Sequence, residues 1–221
     1  MEQSEPEVFY GAVAADTVRL VQRHTDLRNR SVVDVGAGRL EYALAFRQAG
    51  ARYVGVDVDA HSVSDERARG VMASGHTLPF ADASVDVAIS SNVLEHVRDP
   101  FAVADETARI VRPGGLLVVS YTNWLSPWGG HETAPWHYLG GDRAARMYAR
   151  RHGHEPKNRF GQTLFPVSVR QGLQWARQHP AAELIESVPR YHPSWACRVV
   201  AVPGARELFT WNLLLVLRAT G

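Results

Sequence analysis

The sequence has almost no cysteine and almost no net charge. Cys197 is the only cysteine among 221 residues, which excludes an intramolecular disulfide framework and is typical of a reducing compartment. The formal net charge is +1, so no overall field draws the chain to nucleic acid or to an anionic membrane. We therefore expect no nucleic-acid partner.

Long apolar runs are also missing. The longest ones, such as LLLVLR near the end of the chain, are far too short to cross a bilayer. The opening residues, MEQSEPE, lack the basic and apolar segments of a signal peptide. We expect a cytoplasmic protein with no integral membrane segment.

What the sequence does contain is an alternation of strand-like and helix-like segments. Apolar, β-branched runs predict strands, and runs rich in helix formers predict helices between them. The predicted strands are 31–35, 52–58, 85–91, 115–122, 183–188 and 211–218, and the predicted helices are 11–27, 40–50, 99–111 and 142–152. With 221 residues and 45% hydrophobic content, this alternation predicts one α/β domain: a mostly parallel sheet of about seven strands with helices on both faces.

A glycine-rich turn follows the first predicted strand. In DVGAG (34–38), Gly36 and Gly38 allow a sharp turn and a close approach of the backbone to a ligand. Asp57 ends the next strand, where a carboxylate can accept hydrogen bonds from both hydroxyls of a ribose. These features predict a nucleotide-binding turn. A junction that needs glycine for its geometry alone is the open alternative.

The side chain of Glu41 distinguishes between the cofactors that this turn could bind. A dinucleotide fingerprint needs glycine at that position, and a carboxylate there would repel a pyrophosphate at the helix N-terminus. A nicotinamide cofactor is therefore disfavoured. S-adenosylmethionine, which has no phosphate group, meets no such objection.

Five motifs resemble those of the class I S-adenosylmethionine-dependent methyltransferases, in the type-11 methyltransferase-domain group. In chain order they are DVGAG (34–38), VGVDVD (54–59), LPFADASVD (78–86), SSNVLEHV (90–97) and VRPGGLLVVS (111–120). The resemblance covers about residues 30–122, and residues 118–218 resemble an uncharacterised actinobacterial subgroup that indicates no substrate. The resemblance to the class I methyltransferases implies a Rossmann-like, seven-stranded, mostly parallel sheet with helices on both faces and an antiparallel last strand.

The resemblance also implies how the single domain, 1–221, is divided. The expected segments are an N-terminal helix (1–30), a cofactor-binding core (31–122), a substrate-side insertion (123–160) and the C-terminal strands (161–221).

S-adenosylmethionine is the cofactor that the resemblance implies. The turn after the first strand would face its methionine and sugar portions, Asp57 would hold the ribose, and residues 74–76 would border the adenine. The implied cofactor-binding residues are Asp34, Gly36, Ala37, Gly38, Asp57, Val58, Ser74, Gly75, His76 and Ser91. Leu40 replaces a third glycine that is frequent in the family. Ser74 replaces a frequent aspartate, so backbone groups are expected to hold more of the adenine.

The loop after the strand 115–122 contains two histidines, a glutamate and a tryptophan between glycine pairs. Because this strand should end at the same edge of the sheet as the cofactor loops, GGHETAPWHYLGG (129–141) is expected to cover the reacting methyl group. A positioned base assists methyl transfer to a hydroxyl group, and the pKa of histidine suits that task. We predict His131 as general base and Glu132 as its orienting or substrate-binding neighbour. The predicted substrate-binding residues are Asn92, Tyr121, Trp128, Trp136 and His137. The alternative is that the loop histidines cap their own backbone.

Glu95 and His96 resemble part of the ExxEH metal cluster of certain magnesium-dependent methyltransferases. The first position of that motif is Asn92 here, and one carboxylate is a poor anchor for a hard divalent cation. We therefore expect no metal ion and keep His96 as a third catalytic candidate.

The predicted function is methyl transfer from S-adenosylmethionine to a small-molecule, glycan or lipid-linked acceptor, at oxygen. A non-catalytic regulatory module that binds S-adenosylmethionine is an alternative, as is, less favoured because of Glu41, a nicotinamide-dependent oxidoreductase. The polar groups at 129–141 favour the enzyme, because a sensor needs no base beside the methyl group. Most of the segment LFTWNLLLVL (208–217) is expected to form the closing strands of the sheet. It could also pair two chains at a sheet edge, so a homodimer is a further expectation.

Overall fold

The computed structural model describes residues 6–38, 40, 42–64 and 69–220. Within them, seven strands form one sheet in the order β3-β2-β1-β4-β5-β7-β6. The strands are β1 (Ser31–Val35), β2 (Arg52–Asp57), β3 (Arg69–Met72), β4 (Val85–Ser91), β5 (Val111–Thr122), β6 (Ala182–Arg190) and β7 (Asn212–Ala219). Neighbouring strands pair in parallel except at β7, which runs antiparallel to both β5 and β6. The predicted mostly parallel sheet with an antiparallel last strand is confirmed.

Six α-helices accompany the sheet in the part of the chain that the structure describes. They are α1 (Pro6–Gln22), α2 (Ala43–Gln48), α3 (Pro100–Arg109), α4 (Gly141–His152), α5 (Val169–Gln178) and α6 (Ala205–Phe209). Asp99 caps α3 by accepting a hydrogen bond from the N–H of Ala102, and Ser168 opens α5 in a capping box with Gln171. Gly153 ends α4 in the left-handed conformation, which glycine adopts without steric cost.

Apolar strands bury both faces of the sheet. Val32 and Val118 pack with α1 and α2 on one face, whereas Val33 and Leu117 pack with α3 and α5 on the other. Successive side chains of a strand point to opposite faces. Strands that are covered on both sides therefore need the continuous apolar runs that this sequence contains, and the predicted helices on both faces are confirmed.

The parallel register brings the ends of four strands to one edge of the sheet. Val35 of β1 pairs with Val56 of β2, and Ser91 of β4 pairs with Ser120 of β5. The loops that follow β1, β2, β4 and β5 therefore start from the same edge, which we call the carboxyl rim. These loops contain most of the predicted site residues.

Three elements are absent from the sequence-based expectations: β3, α5 and the short helix α6. The residues of β3, RGVM, are too few and too mixed in character to give a strand pattern. The helix α5 contains Gly172, which lowers helix propensity. A glycine is needed there because a Cβ would lie 2.2 Å from the hydroxyl oxygen of Tyr121.

β7 lies between β5 and β6, so residues 212–217 have no free edge. The expectation that most of this segment closes the sheet is confirmed. A strand with a neighbour on both sides does not support the pairing of two chains through it, and a homodimer stays a prediction. The division of the domain into four functional segments also stays a prediction. Among the described residues, no helix combines the length and the apolar character needed to cross a membrane.

Candidate active site

The turn after β1 closes onto the end of β2. The N–H groups of Gly36 and Ala37 donate to the carbonyl of Val56 at 2.8 and 3.0 Å, and the N–H of Gly38 donates to Oδ2 of Asp57 at 3.0 Å. Gly36 and Gly38 have φ angles of 77° and 52°, in the left-handed region that favours glycine. These contacts hold the Asp57 carboxylate at the carboxyl rim. Asp34 is buried below the turn and accepts a hydrogen bond from the hydroxyl of Tyr53 at 2.6 Å.

Two apolar side chains are exposed beside Asp57. Val58 is 70% exposed and Met72 is 63% exposed, and Met72 is the β3 residue that pairs with Asp57. Exposed apolar groups next to a fixed carboxylate are suited to a ligand that has both an apolar ring and hydroxyl groups. Val58 is among the residues predicted to bind the cofactor, whereas Met72 is not, because β3 is missing from the sequence prediction.

The segment from Ser74 to His76 forms a tight turn after β3. The hydroxyl of Ser74 accepts a hydrogen bond from the N–H of His76 at 3.2 Å, and the side chains of both residues are exposed. A Cβ at Gly75 would lie 3.0 Å from Cγ1 of Val103, so the turn sits tightly against α3. Glu41, on which the argument against a dinucleotide rests, lies outside the described residues.

At the end of β4, Ser91 belongs to a buried hydroxyl cluster. Its Oγ lies 2.9 Å from the hydroxyl of Tyr42 and 3.1 Å from Oγ of Ser120. Arg190, which is 4% exposed, donates from Nη1 to both serines at 3.0 and 3.1 Å and from Nη2 to Thr17. Arg190 is not among the predicted site residues, because its partners lie on strands and a helix that are distant in the sequence. Next to Ser91, Asn92 accepts a hydrogen bond at Oδ1 from Nδ2 of Asn212 at 2.7 Å.

Residues 123–140, which connect β5 to α4, form a segment that we call the histidine loop. The glycine pair before His131 in this loop is required by packing. A Cβ at Gly129 would lie 1.9 Å from the carbonyl oxygen of Trp124, and one at Gly130 would lie 2.5 Å from Cβ of His137. His137 is buried, and its Nε2 lies 3.1 Å from the carbonyl of Ser126. Burial lowers the pKa of His137. This histidine bonds to the backbone of its own loop, in contrast to the predicted contact with a substrate.

His131, the predicted base, lies against Glu95 and His96. The rings of His96 and His131 are 5.0 Å apart, edge to face. One side-chain ligand atom from each of Glu95, His96 and His131 lies within 4.8 Å of the other two. We call these three residues the rim cluster. The meeting of Glu95 with His131 is not among the predictions from the sequence, in which Glu95 is only a possible metal ligand.

Two buried atoms of the rim cluster have no hydrogen-bond partner in the part of the chain that the structure describes. They are Oε2 of Glu95, a residue only 1% exposed, and Nδ1 of His131. The other oxygen of Glu95 accepts a hydrogen bond from the N–H of Thr122 at 2.8 Å. Burial lowers the pKa of His131; Glu95 opposes this shift and His96 adds to it. A lowered pKa leaves the imidazole neutral, able to accept a proton, at neutral pH.

The remaining predicted residues are spread over the loop and the core. Both carboxylate oxygens of Glu132 accept hydrogen bonds from Nδ2 of Asn158 at 3.0 Å, so this glutamate ties the loop to the segment after α4. Trp128 is 58% exposed and contacts Trp211 edge to face, and Trp136 lies under the guanidinium of Arg151.

Tyr121, predicted to contact the substrate, lies in the core. Its side chain is fully buried, and its hydroxyl donates to the carbonyl of Ser168 at 2.7 Å. Burial raises the pKa of this hydroxyl. Because side chains alternate along β5, Tyr121 points to the face covered by α5, away from the hydroxyl cluster that contains Ser120. The structure therefore gives it a packing role.

Comparisons with known proteins agree with this architecture. A family model described as a methyltransferase domain matches residues 33–119. An uncharacterized methyltransferase of Mycobacteroides abscessus is 49% identical over 98% of this chain and 89% of its own length. One from Mycolicibacterium vanbaalenii is 51% identical, with the same coverage of 98% and 89%.

Solved structures are similar in fold at low sequence identity. An S-adenosylmethionine-dependent methyltransferase from Mesorhizobium loti has a TM-score of 0.63 at 17% identity, covering 92% of this chain and 97% of its own. The geranyl diphosphate C-methyltransferase of Streptomyces coelicolor A3(2), solved with Mg²⁺, geranyl-S-thiolodiphosphate and S-adenosyl-L-homocysteine, has a TM-score of 0.60 at 17% identity. It covers 93% of this chain and 76% of its own.

Proposed function

Because the chain belongs to the S-adenosylmethionine-dependent methyltransferases, we propose that it methylates an oxygen atom of a small-molecule, glycan or lipid-linked acceptor that is held at the rim cluster. The family and the cofactor agree with the resemblance found in the sequence motifs. The family and the cofactor favour a methyltransferase over a regulatory module or a nicotinamide-dependent oxidoreductase. What we propose is the kind of acceptor and the choice of oxygen as the methylated atom.

The turn after β1 and the end of β2 would hold the cofactor. Asp57, fixed by the N–H of Gly38 at 3.0 Å, would accept hydrogen bonds from the ribose hydroxyls. The exposed side chains of Val58 and Met72 would pack against the adenine, which the turn at 74–76 would border. The glycine turn, with Asp34 below it, would leave room for the methionine portion, and Ser91 would line the site from the end of β4.

The unpartnered Oε2 of Glu95 and Nδ1 of His131 carry the proposal for oxygen. A neutral hydroxyl group must lose its proton as it takes the methyl group, so a transferase that acts on oxygen benefits from a proton acceptor at the site. Buried polar atoms without partners are rare in proteins and are costly to maintain. Two such atoms on residues of the same cluster support a function for them.

The reaction would be an in-line displacement. S-adenosylmethionine, when bound, would supply a methyl group to the acceptor oxygen, and its sulfur would keep the electron pair of the broken carbon–sulfur bond. The hydroxyl proton passes to the imidazole of His131, whose cationic form the Glu95 carboxylate stabilises. Alignment of the three reacting atoms contributes most of the acceleration, and the base contributes a further ~10²–10⁴-fold.

The surface of the histidine loop favours an acceptor that has an apolar part. Four large apolar residues of this loop are exposed: Leu125 (38%), Trp128 (58%), Tyr138 (49%) and Leu139 (54%). Exposed apolar groups that cluster near a site are typical of surfaces that bind an apolar ligand. Among the proposed acceptors, this observation favours a lipid-linked hydroxyl compound or a hydroxylated aromatic compound.

Methyl transfer from S-adenosylmethionine labelled in its methyl group, to a panel of free phenols, sugars and lipid-linked glycans, tests the proposal. We expect label in at least one hydroxyl acceptor, and we expect His131→Ala to lower kcat by about 10²-fold or more while S-adenosylhomocysteine binds as before. His152→Ala, a histidine on the exposed end of α4, is the matched control and should keep full activity. Label on nitrogen or carbon acceptors alone, or full activity of His131→Ala, would contradict the proposal.

A further inference from the structure

We infer that Glu95, His96 and His131 form a binding site for a divalent first-row transition-metal ion of the class that Zn²⁺ represents. Only the role of the ion in methyl transfer rests on the proposed function. Binding of the ion is a separate property and is measured without turnover.

The distances within the rim cluster suit such an ion. The three ligand atoms lie within 4.8 Å of one another. Ligands bound to Zn²⁺ at about 2.1 Å in a tetrahedral arrangement lie about 3.4 Å apart. Small side-chain rotations toward a common centre would therefore complete the site.

Backbone groups orient two of the ligands from outside the cluster. Glu95 uses Oε1 to accept the N–H of Thr122 at 2.8 Å, which leaves Oε2 for the centre of the cluster. His96 has its Nδ1 2.8 Å from the carbonyl oxygen of Thr163. A carbonyl accepts only a donated hydrogen, so Nδ1 carries the proton and Nε2 keeps its lone pair for a ligand. Metal sites in proteins commonly fix the carboxylate and the histidine tautomer in this way.

The third ligand is delivered by a strained loop. His131 has a φ of 49°, a left-handed conformation that costs a residue with a Cβ atom free energy. The glycine pair before it, Gly129 and Gly130, packs too closely against its surroundings to accept a side chain. Such strain is retained where a structure needs one side chain in a particular place, and here that place is beside Glu95 and His96.

The buried, unpartnered atoms indicate what belongs between the side chains. Oε2 of Glu95 and Nδ1 of His131 have no hydrogen-bond partner among the described residues, and burial of a carboxylate oxygen without a partner is unfavourable. Glu95 and His131 do not satisfy each other with a hydrogen bond. A bound cation would compensate for the burial of the carboxylate and would hold the imidazoles at the same time.

The kinds of ligand select the kind of ion. Two imidazoles and one carboxylate suit Zn²⁺, Fe²⁺ or Mn²⁺ with coordination positions to spare, whereas Mg²⁺ prefers a shell of oxygen atoms. Glu95 alone is a poor anchor for a hard cation, whereas Glu95 together with His96 and His131 offers the mixed oxygen and nitrogen ligands that Zn²⁺ accepts. When bound, such an ion would act as a Lewis acid and lower the pKa of a coordinated hydroxyl group. In the metal-bound protein this would replace proton transfer to His131, because an imidazole nitrogen that binds a metal ion cannot also accept a proton.

Titration of Zn²⁺ into tag-free, metal-depleted protein tests the inference. We expect one equivalent to bind, measured by calorimetry and by elemental analysis after desalting. Glu95→Gln and His131→Asn should each weaken binding at least about tenfold. Co²⁺ provides a second readout, because its visible absorption bands change when nitrogen ligands bind. Glu95→Gln is the decisive variant if His131→Asn fails to fold, since glutamine keeps the size of the side chain.

A surface histidine pair provides the control. The rings of His152 and His154 are 6.2 Å apart near the end of α4 and could hold Zn²⁺ adventitiously. Substitution of both by asparagine should leave Zn²⁺ binding intact. If that variant loses the ion while Glu95→Gln keeps it, or if no equivalent binds, the inference is overturned. Binding of S-adenosylhomocysteine, measured for each variant, tests the fold and the cofactor site independently, so failure of the metal site is distinguishable from failure of the proposed function.

Discussion

Gly36 has a φ of 77°, and a Cβ at this position would lie 2.3 Å from Cγ2 of Val93. The backbone conformation and the close neighbour both require glycine, and the neighbour belongs to the loop after β4. Gly36 therefore joins the turn that is proposed to hold the cofactor to the loop that leads to Glu95 and His96. Replacing Gly36 should therefore cost more stability than replacing a glycine that is needed only for its φ angle.

We expect Gly36→Ala to destabilise the protein by about 2–4 kcal/mol, because it adds strain at positive φ to a steric clash with a stiff β-branched side chain. Binding of S-adenosylhomocysteine should weaken as well. Gly114→Ala is the matched control for φ alone, since Gly114 has a φ of 76° and open space around it, and it should cost only about 1 kcal/mol. Gly11→Ala, in an open position of α1, should be neutral or stabilising by up to about 1 kcal/mol. Equal losses for Gly36→Ala and Gly114→Ala in urea unfolding would show that the close contact with Val93 is unimportant.

Tyr121→Phe distinguishes a packing role from a substrate contact. The substitution keeps the buried ring and removes the hydrogen bond to the carbonyl of Ser168, so we expect a loss of stability of about 0.5–1.5 kcal/mol in urea unfolding. The KM for any acceptor should not change. A raised KM with unchanged stability would instead support the contact expected from the sequence.

At the scale of residues, the sequence predicts what depends on neighbours along the chain. Gly36 and Gly38 follow β1, and Asp57 is the last residue of β2. Because consecutive parallel strands end at the same edge of a sheet, the meeting of these residues at the carboxyl rim is foreseeable. The meeting of Glu95 with His131 is not, because it depends on the path of a loop after β5. The contacts of Arg190 are still harder to predict. Its partners include Ser91, Ser120 and Thr17, which lie on two strands and one helix. A pattern along the sequence does not show that these elements meet.

At the scale of elements, α3 shows how an ion pair joins a helix to a neighbouring loop. Glu106 accepts two hydrogen bonds from Arg109 at 2.7 and 2.8 Å and one from the N–H of Leu78 at 2.7 Å. The hydrogen bonds from Arg109 lower the pKa of Glu106, against the opposing effect of burial. The loop that Glu106 holds leads from the proposed adenine side of the site to β4.

This lowered pKa predicts a loss of stability in acid. A carboxylate with a lower pKa in the folded state than in the unfolded state stabilises the protein fully above its ordinary pKa, 4.5, and less as the pH falls through the folded value. We expect Glu106→Gln to be about 1–3 kcal/mol less stable than the unaltered protein at pH 7, and the difference to shrink below pH 4.5. Glu155→Gln, at an exposed position, is the control for the loss of a surface carboxylate and should change the stability at pH 7 by only about 0.5 kcal/mol or less. A constant difference for Glu106→Gln from neutral to acid pH would contradict this account.

The elements that the sequence predicts are those with a strong local pattern. β1, β2, β4 and β7 are nearly continuous apolar runs, and burial on both faces demands such runs. β3 has four residues at the edge of the sheet, where one side of the strand has no neighbour and the demand for apolar residues is weaker. The glycine in α5 follows from a contact with Tyr121, which only the packed structure contains.

At the scale of the whole molecule, the sheet brings the two halves of the proposed site together. β1 and β2 supply the turn and Asp57, whereas β4 and β5 lead into the rim cluster and the histidine loop. Because β1 pairs with both β2 and β4, the two halves share one central strand and are held in a fixed relation. A ligand that spans both should therefore stabilise the entire fold in one cooperative unfolding transition.

Thermal and urea unfolding with added nucleotides tests this expectation. S-adenosylhomocysteine at 100 times its Kd should stabilise the protein by about 2.7 kcal/mol. Asp57→Ala removes the carboxylate proposed to bind the ribose. If its affinity falls by about 100-fold, the same concentration should add only about 0.4 kcal/mol. NAD should stabilise neither protein, because the chain belongs to a family whose cofactor carries no pyrophosphate. Equal stabilisation of Asp57→Ala and the unaltered protein would remove Asp57 from the cofactor site, and stabilisation by NAD would show that the turn after β1 accepts a pyrophosphate.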